Sequence, residues 1–161
     1  MANQIAKPFW ATIFLRWFGW SKVALIFYIR PKVIEISDER VEIMVPLNRR
    51  TRNHWGAMCF GTLAIGADCA AGVLAVALIR EAGDQVSFLF KDVKGEFLKR
   101  ADGDAHFISQ SGAQVRQLVR DAIETGERCN LAVPVDITVP KKYGNEVVAR
   151  MTLTLSLKKK K

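Results

Sequence analysis

The feature that most constrains the fold is a run of 25 residues, 55–79, in which Asp68 is the only charged side chain. Its length would suit a membrane span, but an ionised aspartate near the middle of a span costs about 2.5–3.5 kcal/mol. The run is also rich in alanine and contains four glycines, so its side chains are small and not the large aliphatic ones of a typical membrane span. Small residues let a helix pack closely against a sheet. The sequence therefore predicts a long helix buried inside a protein fold.

Strand-like segments lie on both sides of this run. We predict strands over residues 23–29, 33–36, 41–47, 86–90, 105–109, 131–139 and 151–157. The last two alternate apolar and other residues, which is typical of an antiparallel sheet covered on one face. The charged residues 91–104 are predicted to connect two strands. The outline is α+β, with a curved antiparallel sheet of five to six strands around a long central helix.

Two further helices are predicted from apolar residues spaced three and four apart. The first has one apolar face and ends at Gly19; that face consists of Trp10, Ile13, Phe14, Trp17 and Phe18. The second covers residues 115–123 and ends at Gly126. Because basic residues flank the first helix, it could lie on a membrane surface. Docking on its own domain or on a second subunit is the commoner fate of such a face, and we favour it.

The chain is predicted to have a simple domain organisation. Residues 1–22 are assigned to the N-terminal amphipathic helix, and residues 23–161 to the main domain with a basic C-terminal tail. Residues 158–161, all lysine, are expected to be a disordered solubilising tail.

Charge and cysteine content argue against several classes of function. The formal net charge of +8 is concentrated at the two ends, whereas the 100 residues 31–130 hold 13 basic and 14 acidic side chains. This distribution argues against a nucleic-acid partner. Three cysteines without a CxxC pair, and only two histidines, predict a reducing compartment and no metal site. No signal-peptide pattern is present, so we expect a cytoplasmic protein.

Residues 52–68, RNHWGAMCFGTLAIGAD, carry the motif with most chemical information. Asn53 stands eight residues before Gly61, and Gly61 stands seven before Asp68. This spacing resembles the signature of hotdog-fold acyl-CoA thioesterases of the phenylacetyl-CoA type. The stretches FLFKDVKGEFLKR and LTLSLKKK resemble an uncharacterised branch of the same superfamily. The resemblance implies a hotdog fold, thioester hydrolysis without a cofactor, and a site formed between two subunits.

The motif also has a direct chemical interpretation. Backbone amides at a helix start can stabilise the negative charge that develops on a thioester oxygen, and those of Phe60 and Gly61 are in that position. Attack on the carbonyl carbon needs a carboxylate as general base or nucleophile. Asp68 is the candidate, two turns or about 10.5 Å further along the helix, and Asn53 could orient the water or the acyl carbonyl. The structural alternative for Asp68 is a buried carboxylate held by neighbouring N–H groups.

Five more residues are candidates for substrate binding: Arg52, His54, Thr62, Lys99 and Arg100. The basic ones could meet the phosphates of coenzyme A, although solvated basic loops explain them equally well. Cys59, near the helix start, could act as a nucleophile with His54 as its base. Such a cysteine is more often a small buried hydrophobe, so we favour Asp68.

The leading hypothesis is an enzyme that hydrolyses the thioester of an acyl-CoA or an acyl-carrier protein. His54 and Asp68, fourteen residues apart, also resemble the catalytic pair of hotdog 3-hydroxyacyl-thioester dehydratases, which usually have prolines between the two. A non-catalytic module that binds acyl thioesters or lipids is the third possibility. A curved sheet around one helix leaves edges exposed, so a homodimer or tetramer is expected.

Overall fold

One antiparallel sheet wraps around a single long helix. The computed structural model describes residues 7–83 and 86–160. Its elements in chain order are α1 (Pro8–Lys22), α2 (Ala24–Ile29), β1 (Lys32–Ile36), β2 (Val41–Val45), α3 (Phe60–Glu81), β3 (Val86–Phe97), β4 (Ala105–Ser109), α4 (Gly112–Thr125), β5 (Cys129–Thr138), α5 (Pro140–Tyr143) and β6 (Val147–Lys159). Within the described residues the sheet has six strands in the order β1-β2-β4-β5-β6-β3. The predicted α+β fold with a central helix is confirmed.

Helix α3 is the core of the protein. Its most apolar 18-residue window has a mean hydropathy of 2.1, sufficient for a membrane span, but 72% of that window is buried inside the fold. At Gly66 the helix meets the ring of Phe107 on β4 so closely that a Cβ would lie 2.3 Å from the ring. Phe107 is itself fully buried. The small residues of α3 thus seat the helix on the sheet, as the sequence predicts.

Helix α4 packs against α3 and against strands β5 and β6. Its buried side includes Val115, Leu118, Val119 and Ala122, the apolar face predicted from the sequence. The helix ends at Gly126, which has a positive φ of 73°. Glycine adopts this conformation without steric cost, so the predicted C-terminus is confirmed.

The predicted strand over residues 23–29 is wrong. Ala24–Ile29 forms the short helix α2, and α1 runs past Gly19 to Lys22. The Gly19 carbonyl accepts a hydrogen bond from the Val23 amide at 3.0 Å. A Cβ on Gly19 would lie 2.6 Å from the backbone nitrogen of Phe27. Gly19 therefore does not end α1 but lets α2 pack directly against it.

Strand β3 is longer than predicted. Instead of ending at Phe90 it continues to Phe97, and it pairs with β6 along this whole length. The register shifts by one residue between Phe90 and Asp92. This shift reverses the alternation of inward and outward side chains. Part of the predicted connection 91–104 is therefore strand.

The predicted disordered tail is partly wrong. Lys158 and Lys159 belong to β6, where they pair with Ser87 and Val86. Lys161 lies outside the described residues, as do residues 1–6 of the predicted N-terminal segment. The C-terminal lysines thus begin within the sheet rather than after it.

A Gly66→Ala substitution tests how tightly α3 is seated. The added methyl group would overlap the Phe107 ring, with three ring atoms at 2.3, 2.5 and 2.6 Å. We expect the free energy of unfolding to fall by about 1–3 kcal/mol, measured by urea denaturation. Gly61→Ala is the matched control, because a Cβ there meets nothing within 4 Å. The control is expected to gain about 0.5–1 kcal/mol; equal losses in both variants would contradict the assignment.

Candidate active site

Asp68 lies in an apolar cavity of about 230 Å³. The walls come from the α1–α2 segment and from α3 and β3. The lining residues are Phe14, Leu15, Phe18, Val23, Ile26, Asp68, Cys69, Gly72, Val73, Val76, Phe88 and Phe90. Among these lining residues, Asp68 is the only Asp, Glu, Lys, Arg or His. The cavity can thus hold an apolar group with one carboxyl beside it.

Burial controls the ionisation of this carboxyl. Desolvation raises the pKa of Asp68 from 3.8 to about 6, and within the described part of the chain no hydrogen bond or cation opposes that shift. The structural alternative, a carboxylate held by N–H groups, would lower the pKa. A carboxyl with a pKa of about 6 is ionised at neutral pH and is a stronger base than an ordinary aspartate, which suits a general base.

The start of α3 leaves its first amides available. Cys59 precedes the helix in an extended conformation, and its side chain does not cap the helix. The Leu63 amide donates to the Cys59 carbonyl at 3.1 Å, whereas the amides of Phe60 and Gly61 belong to the first turn, which has no intrahelical acceptors. Since a Cβ on Gly61 would meet no other part of the protein within 4 Å, a ligand can approach this side of the backbone.

A second cavity, of about 340 Å³, opens beside the helix start. Its lining includes Asn53, Phe60, Leu63, Lys99 and Arg100. The structure therefore brings together several of the residues predicted for catalysis and substrate binding. Within one chain, Asp68 lines the first cavity and not this one.

Asn53 organises the loop before the helix. Its side-chain oxygen accepts hydrogen bonds from the amides of Trp55 at 2.9 Å and Ala57 at 3.2 Å. Its backbone amide donates to the Ala57 carbonyl at 2.7 Å. The side-chain oxygen is thus committed to the loop, and the NH₂ group is the part of Asn53 that can serve a ligand in the second cavity.

The other predicted residues lie around the same loop. Arg52 and His54 are exposed, and the His54 ring lies 5.4 Å from that of Trp55. Thr62 is only 3% exposed, and its hydroxyl is 3.1 Å from the Cys59 sulfur. This pairing gives both side chains a partner inside the protein. Direct contact of these residues with substrate stays a prediction.

The two basic residues of the second cavity have different surroundings. The Lys99 ammonium is 2.9 Å from a carboxylate oxygen of Glu146 and 4.1 Å from the centre of the Tyr143 ring. Arg100 lines the second cavity and also a smaller neighbouring one that includes Asn53 and Trp55. Arg100 is therefore the better placed of the two to receive a phosphate group.

Sequence reasoning missed a residue that holds the motif loop in place. Thr51 is fully buried, and its hydroxyl donates to the Pro46 carbonyl at 2.7 Å. Its own carbonyl accepts from the Cys59 amide at 2.8 Å, directly before α3. No sequence pattern marks this role, because the bonds join backbone groups five and eight residues away. The aromatic cavity walls from α1 and β3 were missed for the same reason.

Comparisons with solved structures agree on the fold. A Pseudomonas aeruginosa protein described as a probable thioesterase is 21% identical over 98% of this chain and 100% of its own, with a TM-score of 0.72. A Haemophilus influenzae thioesterase is 14% identical over 98% and 94%, with a TM-score of 0.67. Zebra fish thioesterase superfamily member 2 is 14% identical over 94% and 98%, with a TM-score of 0.65. The protein thus has the hotdog fold found in thioesterases, as its motif predicts.

Within this class, the family is identified by a match over residues 12–157. The chain belongs to the DUF4442 family, a domain of unknown function. No functionally curated protein matches the chain at a significant level. These comparisons therefore give the family and the fold, and the chemistry of the site is what indicates a reaction.

The ionisation of Asp68 predicts an unusual pH dependence of stability. The folded protein holds this proton more tightly than the unfolded chain, so stability is lost as the pH rises from about 4 through the folded pKa of about 6. A rise in pKa from 3.8 to about 6 corresponds to a loss of about 3 kcal/mol above that range. Asp68→Asn removes this loss.

We expect Asp68→Asn to match the parent near pH 4 and to exceed its free energy of unfolding by up to about 3 kcal/mol near pH 7.5. Urea denaturation at several pH values measures the difference. A variant that is less stable than the parent at neutral pH would show that the carboxylate is held by favourable contacts instead.

Proposed function

We propose that the protein is a thioester hydrolase that converts an acyl-CoA or acyl-carrier thioester into a free acid and a thiol. The observation that carries the proposal is Asp68, a carboxyl with a pKa of about 6 in an apolar cavity on the central helix. The described residues hold no group of three or more His, Cys, Asp or Glu side chains that could bind a metal ion. The proposal is supported by the similar structures that are named thioesterases.

The chemical step follows from these groups. The Asp68 carboxylate removes a proton from a water molecule, whose oxygen forms a bond to the thioester carbonyl carbon. The amides of Phe60 and Gly61 donate hydrogen bonds to the carbonyl oxygen as it becomes negative. The carbon–sulfur bond then breaks, and the thiolate leaves and takes up a proton. The apolar cavity holds the acyl group, and Arg100 faces the carrier phosphates.

A second copy of the chain completes this site. Asp68 and the start of α3 line different cavities in one chain. Strand β3 is at the edge of the sheet, and Val93 and Phe97 on its inner face remain 61% and 57% exposed. Their cross-strand partners Leu153 and Ala149 are buried, so these two apolar residues lie where a partner can cover them. Pairing of two β3 edges would form a homodimer and bring each helix start toward the other Asp68.

Asp68→Asn tests the chemistry. The amide keeps the shape of the side chain but cannot accept the proton, so we expect kcat to fall at least about a hundredfold. Thiol release from a panel of acyl-CoAs measures the rate, and circular dichroism checks the fold. Cys59→Ala is the matched control in the same segment and is expected to stay active. Parent-like hydrolysis by folded Asp68→Asn would remove Asp68 from the mechanism, and an enoyl product without thiol would identify a dehydratase.

Mixing two inactive variants tests the shared site. Phe60→Pro removes one amide donor, and proline is tolerated at the first helical position after the extended Cys59. If one subunit supplies the helix start and the other supplies Asp68, unfolding and refolding Phe60→Pro with Asp68→Asn should restore about a quarter of the parent activity. Phe60→Leu, which keeps the amide, controls for loss of the ring. No restoration on mixing would place the whole site within one chain.

A further inference from the structure

Helix α1 is apolar on two opposite faces. Ala11, Leu15 and Gly19 are buried against the domain, so the helix is docked as the sequence interpretation favours. A second face, spanning about 100° of the helix circumference, points away from the domain. It consists of Phe9, Trp10, Ile13, Trp17 and Trp20, which are 44–69% exposed. Docking of α1 on its own domain accounts for one face only.

Helix α2, which packs against α1 at Gly19, also exposes large apolar side chains. Leu25, Phe27 and Tyr28 are 60%, 44% and 50% exposed, although Ile26 and Ile29 of the same helix are buried. A patch of large apolar side chains on two adjoining helices needs an explanation in a protein with a well-packed core. Three of the four tryptophans of the chain lie in it. We call the exposed residues of α1 and α2 the aromatic face.

The charge around the aromatic face has one sign. Residues 7–34 contain five basic side chains and no acidic one; the basic residues are Lys7, Arg16, Lys22, Arg30 and Lys32. All five are exposed. In residues 35–130 the charges nearly balance, with 12 basic and 14 acidic side chains, and the other basic excess lies in residues 131–161, with seven basic and two acidic. The aromatic face is therefore flanked only by positive charge along its own segment of the chain.

We propose that the aromatic face of α1 and α2 docks on the surface of an anionic lipid bilayer. Tryptophan and tyrosine prefer the interface between water and hydrocarbon, because their rings are apolar and one edge is polar. Lysine and arginine beside them attract anionic headgroups. A second copy suits this face poorly, since a two-fold contact would bring two sets of five positive charges together. The β3 edge offers a copy of the chain a better-matched surface.

Docking would place the cavity of Asp68 beside the membrane. Phe14 and Phe18, on the flank of α1 between the aromatic face and the buried face, line that cavity with Val23 and Ile26. The helix on the bilayer is thus also a cavity wall. Lipid binding goes beyond the proposed hydrolysis and does not depend on it, so each can fail without the other.

The tryptophans make the full-length protein its own probe. We expect its fluorescence to shift to shorter wavelength, and the protein to sediment, with vesicles of phosphatidylglycerol in phosphatidylcholine. Pure phosphatidylcholine vesicles should bind less, and added salt should weaken binding to the anionic ones. Lipids brominated on their acyl chains should quench the emission. No shift and no sedimentation with anionic vesicles would overturn the proposal.

Matched variants locate the contact. Trp10→Gln with Trp17→Gln should lower vesicle partitioning by about tenfold or more, because each ring loses its apolar contact. Trp55→Gln is the control, since Trp55 is 74% exposed but lies in the loop before α3. Thermal unfolding checks that each variant is folded. Equal vesicle binding by the double variant and the parent would contradict the assigned face, and a lower oligomeric mass by light scattering without a change in vesicle binding would assign the face to a second copy.

Discussion

The contact between Gly66 and the ring of Phe107 determines where the site can be. The ring occupies the space in which a side chain of residue 66 would begin, so α3 can lie on β4 in only one rotation. Asp68, two residues further on, is turned by about 200° around the helix. It therefore faces away from β4, toward the cavity that α1, α2 and β3 enclose. A packing contact without polar atoms thus sets the direction of the one charged side chain in the middle of the helix.

The same apolar packing gives Asp68 its chemical character. The carboxyl is a base near neutral pH because hydrocarbon, rather than donors or cations, surrounds it. Rings from Phe88 and Phe90 come within 3.1 and 3.4 Å of the Cβ position at Gly72, one turn from Asp68. Closer packing of the cavity walls around Asp68 increases the free energy needed to ionise its carboxyl group in the folded protein. Stability and basicity are opposed at this residue, as is common for groups with a functional role.

Much of the fold could be predicted because the sequence pattern and the burial pattern coincide. Residues 60–79 of helix α3 are uncharged except for Asp68 and are mostly buried, and β5 and β6 alternate as a half-covered sheet should. Helix α2 was predicted wrongly because ALIFYI favours a strand locally, whereas contact with Gly19 decides its structure. The residues of the predicted apolar face of α1 have two different environments in the structure. Phe14 and Phe18 line the cavity, whereas Trp10, Ile13 and Trp17 are exposed. Asp68 was found from its motif, but its surroundings come from segments up to 54 residues away in the chain, which no local pattern reports.

The one-residue register shift in β3 determines which single-residue deletion the strand can accept. Before the shift Phe88 and Phe90 face the inside of the sheet, and after it Val93 and Phe97 do so. Any of these residues can change to another apolar type with the pattern preserved. Deletion of Lys91, the residue without a partner on β6, would restore an unbroken alternation and leave Val93 and Phe97 facing inward. A single-residue insertion or deletion after Asp92 that kept the bulge would instead turn the apolar residues beyond it outward. Natural variation in this strand is therefore expected to include loss of the residue at position 91 more readily than single-residue insertions or deletions beyond the bulge.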